Sequence, residues 1–213
     1  MTNFIPIFPL NVVLYPDETL NLHIFEPRYK ELVKDSFTNN KTFGIPAVIN
    51  GQVAEFGTLV TVSEIAKEYD NGEMDIITKG TVVFRILEII KKIPEKLYSG
   101  AIVNYPDNSD VYLKKDLIQV VVKAVRELHR ILNISKDFHK PDEELNAYDL
   151  AHHAGLSLEE EYELLGLFRE EQRQEYLKRH LGKVLPVVVE MEVLKERIML
   201  NGHFKNLSSF RFE

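Results

Sequence analysis

With 213 residues, 45% of them apolar and 28% charged, the chain is long enough to bury a substantial core as one large domain or two small ones. It contains no cysteine, which excludes disulfides, thiolate metal sites and thiol nucleophiles. The net charge of −7 divides into −5 over residues 1–110 and −2 over residues 111–213, so neither half carries the basic excess with which nucleic-acid binders neutralise phosphates.

The opening Met1-Thr2-Asn3-Phe4 lacks a basic stretch followed by an apolar core, so no secretory signal is expected. No apolar run approaches the roughly 18 residues needed to cross a bilayer, and a cytoplasmic location is expected. Residues 4–110 read as β-rich. Phe4–Leu14 is apolar but interrupted by Pro6 and Pro9, which confine it to a sheet edge or an irregular extended form. Leu20, Leu22 and Ile24 alternate with Asn21 and His23, the pattern of a half-buried strand, with His23 on the polar face.

Pro27 suits the first position of a helix, because its missing amide would be unpaired there, and it holds Glu26 out of the α region. Tyr29, Leu32, Val33 and Phe37 follow at spacings of three and four, one apolar helix face. Glu26 and Arg28 flank the strand-to-helix turn. They are expected to form a structural clasp, with Glu26 a buried charge paired to Arg28 or to Arg85. The other reading, a catalytic carboxylate beside an anion-binding arginine, lacks any accompanying nucleophile or metal-ligand cluster.

Phe43–Ile49 is an apolar strand running into Asn50-Gly51, a strong hairpin signal. Val53–Tyr69 is a long strand with a bend expected at Gly57, and Asp70-Asn71-Gly72 is a second hairpin turn. Met74–Ile90 reads as two strands separated by a bend at Lys79-Gly80-Thr81. Leu97–Tyr105 closes the series before the loop Pro106–Asp110. Strands and turns at this spacing point to a small, partly closed antiparallel barrel.

From residue 113 the period changes to three and four, with Ile118, Val121, Val122, Val125, Leu128 and Leu132 forming one face of a long helix. After a polar link, Lys136–Glu144, come four more helices. The first spans about Leu145 to Ala154 and ends at Gly155. The second starts at the capping box Ser157/Glu160 and carries Tyr162, Leu164, Leu165 and Phe168. The third covers about Glu170 to Leu181 and stops at Gly182. The last follows Pro186 and stops at Asn201-Gly202. The apolar tail from His203 to Glu213 is expected to dock on the body.

Several of these blocks together resemble a known family. Ile5-Pro6-Ile7-Phe8-Pro9-Leu10-Asn11-Val12-Val13-Leu14-Tyr15-Pro16, then Phe25-Glu26-Pro27-Arg28-Tyr29, look like the start of the Lon protease N-terminal (substrate-binding) domain. Phe56-Gly57-Thr58, Asp70-Asn71-Gly72, and Lys79-Gly80 before Phe84-Arg85-Ile86 fall where that family has its Gly-Thr, its hairpin turn and its Gly…Arg strand. Tyr148–Ala151 and Leu156–Leu165 are similar to its helical second half. The resemblance implies an α+β fold: an N-terminal PUA-like antiparallel β pseudo-barrel with one short helix over residues 1–110, then a C-terminal helical subdomain over residues 111–213. It also implies a recognition domain standing alone, since no Gly-x-x-x-x-Gly-Lys-Ser/Thr loop is present to hold nucleotide phosphates and no serine–lysine protease segment follows.

Other motifs carry little chemistry. His152-His153 project about 100° apart on a helix and cannot grip one metal as an i, i+4 pair can; His129 and His139 could join them only through tertiary folding. No serine sits in a Gly-x-Ser-x-Gly frame. Tyr15, Phe43, Tyr69, Tyr98 and Tyr105 lie near strand ends or turns, where they would either hold apolar peptide segments or cap the barrel core. The expected function is therefore a non-catalytic protein- or peptide-binding module, an adaptor or regulator of proteolysis, with no cofactor and no metal. Its expected partners are unfolded or apolar peptide segments and a protease or other protein; neither nucleic acid nor membrane is expected. The alternatives are an RNA-binding PUA-like module, to which the acidic charge is opposed, and a small hydrolase, which needs titratable groups converging in one pocket.

Overall fold

The computed structural model of the protein describes residues 2–108, 115–138 and 140–204. Six strands form one antiparallel sheet: β1 (Thr2–Pro6), β2 (Thr19–Ile24), β3 (Phe43–Ile49), β4 (Gln52–Glu68), β5 (Met74–Ile90) and β6 (Gly100–Asn104). Their order is β1-β6-β5-β4-β3, with β2 pairing onto the first half of β5. Past β1 the chain runs beside β3, making parallel bridges Ile7 to Gly44 and Leu10 to Ala47. The two sheet margins are thereby drawn together, which gives the partly closed barrel that the strand spacing implied. Pro6 and Pro9 lie in this marginal segment, where a missing amide costs least.

The two strands expected on either side of Lys79-Gly80-Thr81 are one, with a register irregularity against β4 between Gly80 and Val83. β5 is one strand of 17 residues, lying between β2 and β4 over residues 74–79 and between β4 and β6 over 85–90. Gly80 is needed for a close approach: a Cβ there would stand 2.4 Å from the Tyr15 carbonyl oxygen. The loop before β2 crosses the strand at this point, with Asp17 N–H donating to the Gly80 carbonyl and Gly80 N–H to that of Glu18. The turn at Asn50-Gly51 forms as expected, both residues having positive φ. The last strand is shorter than its apolar run, beginning at Gly100.

Helix α1 (Pro27–Thr38) starts at Pro27 and buries Tyr29, Leu32 and Val33 against the barrel. Its fourth buried residue is Ser36, while Phe37 is exposed. The helix face is therefore rotated by one position from the apolar spacing, because the turn at residues 39–42 folds back over Ser36, whose carbonyl accepts the Lys41 N–H.

Helix α2 (Lys115–Ile131) buries Ile118, Val121, Val122, Val125 and Leu128; Leu132 lies beyond its end and is exposed. Helix α3 (Ala147–Ala151) begins at a capping box of Asn146 and Asp149, and α4 (Leu158–Leu165) at the expected box of Ser157 and Glu160. Phe168 falls in the loop after α4. The two final helices expected from the sequence are one, α5 (Glu170–Phe204), which passes through Gly182 and Pro186 and continues beyond Asn201-Gly202. A proline ring crowds the carbonyl four residues back, and here that residue is Gly182, which has no side chain to add to the crowding. Val184, Leu185 and Val188 pack on the core on both sides of Pro186, offsetting the interruption. The tail beyond Phe204 lies outside the described residues.

The helices and the barrel share one apolar cluster. Val13, Tyr15, Ala47 and Val83 of the barrel are buried with residues from α2 to α5. Tyr162 of α4 reinforces the contact, its hydroxyl accepting the N–H groups of Glu55 and Phe56 at 3.1 Å each. Among the described residues, no helix is long and apolar enough to cross a membrane.

Candidate functional site

Glu26 and Arg28 do meet, with an Arg28 Nη2 to Glu26 Oε2 distance of 2.7 Å, but their side chains are 38% and 52% exposed. Arg28 also lies over the Tyr29 ring. Arg85 sits elsewhere, paired on the barrel surface with Glu55. The expectation of a buried charge is overturned, because the Pro27 turn leaves the barrel at its rim, where water reaches the carboxylate. Such a pair contributes ~0–1 kcal/mol, not the several kcal/mol of a buried one.

The aromatic residues do not converge. Phe43 is fully buried beside Phe8, and Tyr15 is 1% exposed, stacked on Tyr148 at 4.9 Å. Both are core residues. Tyr69 is half-buried at the second hairpin, donating to Asp75, and Tyr105 accepts from Asn3 Nδ2. Tyr15 also borders a cleft, and Tyr98 lines an open groove, as part of its floor.

That groove, of about 670 Å³, runs beside β1 between the end of α1 and the β5–β6 loop. Phe4, Ile93 and Pro94 supply apolar wall, and Asp35, Lys41 and Lys96 the charges. Its polar floor is internally paired: Lys96 Nζ lies 2.5 Å from Asp35, and Tyr98 donates to the same carboxylate at 2.8 Å. The hydrogen bond from Lys96 holds the Asp35 carboxyl below the usual range. Burial, then the Asp35 carboxylate, pushes the Tyr98 phenol up to about 12. Neither Asp35 nor Tyr98 is poised to exchange a proton near neutrality, so this floor suits binding better than acid–base chemistry.

The open side of β1 adds main-chain groups. Ile7 N–H bonds to the Ser99 carbonyl, and the uniform register from Thr2/Asn104 to Pro6/Gly100 turns odd residues toward β6 and even residues outward. Pro6 falls on an outward position, so its missing donor costs no ladder bond. Phe4 turns its N–H and carbonyl toward the groove, and the residue is 47% exposed. No sequence motif marks this feature; only the pairing of β1 with β6 reveals which margin is open.

A second polar cluster sits where barrel and helices join. His152 bridges Glu161 of α4 through Nδ1 at 2.7 Å and Glu18 of the barrel through Nε2 at 3.2 Å. Glu18 also accepts the Tyr15 N–H, and the Tyr15 hydroxyl donates to the Glu161 carbonyl. Burial lowers the His152 pKa, but the two carboxylates outweigh it and raise it to about 9. Nothing in the sequence marks this bridge, since Glu18 lies 134 positions away.

A raised pKa means that the bridge stabilises fully below the unfolded value of about 6.5, and that its contribution fades as pH rises through about 9. Unfolding free energies of the native protein and His152→Gln are expected to differ most below pH 6.5 and to converge above pH 9. A difference independent of pH would show that the imidazolium is not what holds Glu18 and Glu161 together.

His129 hydrogen-bonds through Nε2 to the His153 carbonyl, with its ring 5.5 Å from that of His153. His139 lies outside the described residues. Among the described residues, no group of three histidine or carboxylate side chains is placed to hold a metal ion.

A family model for the substrate-binding domain of ATP-dependent protease La (Lon) matches residues 5–183. Among solved structures, the chain is similar to the Lon N-terminal domain protein from Xanthomonas campestris. Identity is 26% and the TM-score 0.63, over 82% of this chain and 96% of that one. It also resembles the N-terminal domain of the Mycobacterium avium complex Lon protease, with 10% identity and a TM-score of 0.59 over 85% and 100% of the two chains. At that identity the second likeness is one of fold alone. No curated protein matches the chain.

Proposed function

The chain belongs to the Lon substrate-binding domain family, and from that premise we propose that it recognises unfolded or apolar polypeptide segments without cleaving them. The observation that carries this reading is the family match across residues 5–183. The groove beside β1 is the proposed site. An extended segment would add alongside β1, using the Phe4 N–H and carbonyl for main-chain bonds and the apolar wall for its side chains. Tyr98 contributes floor, not a contact anchor.

The module acts as an adaptor or regulator in the cytoplasm, presenting what it binds to a proteolytic partner. The division at residue 110 separates a recognition barrel from a helical lobe that braces it. The RNA-binding alternative is disfavoured by the net charge of −7 and by a groove whose Lys96 is neutralised by Glu31 and Asp35.

Titrating a labelled unfolded protein and a labelled RNA at low and high salt tests the reading. Modest, salt-insensitive polypeptide binding is expected, because an unstructured segment loses conformational freedom when held. Phe4→Pro should weaken binding more than Phe4→Ala, since only the proline removes the outward donor. Equal effects of the two would displace the site from β1. Salt-sensitive RNA binding without a polypeptide signal would overturn the function itself.

A further inference from the structure

Helix α5 leaves the body near Val188 and carries a long apolar overhang. Val187, Met191, Leu194 and Ile198 are 55%, 65%, 56% and 62% exposed, and their spacing of four, three and four places them on one narrow stripe, the seam of a two-helix coil. The family match ends at residue 183, just before this seam. We propose that the seam binds a second copy of this chain, with the two α5 helices antiparallel.

The seam is complementary to its own reverse. In the antiparallel register, Val187 faces Ile198 of the second copy and Met191 faces its Leu194, so each of the four layers pairs a shorter or branched side chain with a longer one. Glu190 and Arg197 flank the same side of the stripe, and reversal brings each Glu190 toward the other copy's Arg197. This match gives the second copy the advantage over an unrelated helix, and a flanking pair of opposite sign sets partner and orientation.

Area also favours the antiparallel arrangement. From Val187 to Phe204 the helix is about 27 Å long and 10–12 Å wide, too small a strip to supply the ~800 Å² per partner of a standard interface. The stripe, however, continues backwards through Lys183, His180 and Tyr176 into an open groove of about 1,240 Å³ between α2, α4 and α5, where Val120 is 50% exposed. Reversed packing carries the end of each helix toward the other copy's groove. Parallel packing leaves both grooves empty and sets the two bodies side by side at one end, because Val188 is still docked on its own body.

Sedimentation of the full chain from low to high micromolar protein is the test. The mass should rise toward twice the 24.7 kDa of one chain. Met191→Glu and Leu194→Glu should each hold it at one chain with an unchanged unfolding midpoint at low concentration, whereas Val193→Glu, on the opposite stripe, should still dimerise. Glu190→Arg should weaken the dimer, and Glu190→Arg combined with Arg197→Glu should restore it. A monomer at every concentration would overturn the proposal. Dimerisation insensitive to Met191→Glu would overturn it too, and failure of the charge swap would overturn the antiparallel arrangement.

Discussion

Replacing Arg173 with methionine is expected to lower the stability of the protein by ~3–5 kcal/mol, the usual result of leaving one partner of a buried ion pair uncompensated. Arg173 is 0% exposed and Glu170 1%, although both stand in the first turns of α5. The arginine Nε donates to Glu170 at 2.9 Å, and its Nη1 lies within hydrogen-bond distance of Asn108, Tyr148 and the Leu167 carbonyl. Its guanidinium also stacks over the Tyr148 ring. Glu170 in turn accepts from the Ala147 N–H and from Gln174. One pair thus ties α5 to the start of α3, the end of α4 and the segment after β6.

The pH dependence of this loss distinguishes charge from packing. Burial already raises the Glu170 pKa, against the opposing pull of Gln174, Arg173 and the Ala147 amide. In Arg173→Met that pull weakens and the pKa rises further. A carboxyl whose folded pKa exceeds its unfolded value destabilises increasingly as pH climbs above the unfolded value. The deficit measured by chemical denaturation should therefore be smallest in acid and grow toward neutrality. A deficit that is flat with pH would assign the loss to packing, and a midpoint within experimental error of the native one would refute the role of the pair.

Gly80→Ala is expected to be nearly as damaging, through the backbone instead of charge. The added methyl would meet the Tyr15 carbonyl at 2.4 Å and the Thr58 methyl at 3.2 Å. The carbonyl cannot swing away cheaply, because Tyr15 is buried, stacked on Tyr148, and followed by Asp17 and Glu18, which bond to Gly80 on both its N–H and its carbonyl. Forcing extra volume into such a site typically costs ~1–3 kcal/mol, occasionally more. The crossing also positions Glu18 for its contact with His152, so the variant should lose part of the pH-dependent stabilisation as well. Gly51→Ala offers a contrast: nothing lies within 4 Å of its added Cβ, and only its positive φ resists the change. A Gly80→Ala protein as stable as the native one would mean that the loop does not press on the strand.

The sequence by itself determined most of the local structure and the family. Period-two alternation marked β2, the Asn-Gly pair fixed the first hairpin, Pro27 opened α1, and the Ser157/Glu160 box started α4, all within a few residues of where they stand. These are short-range signals, read from neighbours along the chain. The order of several such blocks, each weak alone, carried the resemblance to the Lon substrate-binding domain.

What tertiary structure decided lies in contacts between distant segments. Gly80 reads locally as a bend, yet it is a point of close approach to a loop 65 positions away in sequence. Gly182 and Pro186 read as a stop, yet core packing on both sides of Pro186 carries α5 through. Glu26 reads as a buried charge yet is partly exposed, whereas Glu170, which the sequence marks only as a helix start, is buried with Arg173; burial depends on what covers a residue and not on its neighbours along the chain. The same holds for the proposed sites. The open margin of β1 exists only once β6 has taken the other side, and the seam on α5 is exposed only because the body ends before the helix does.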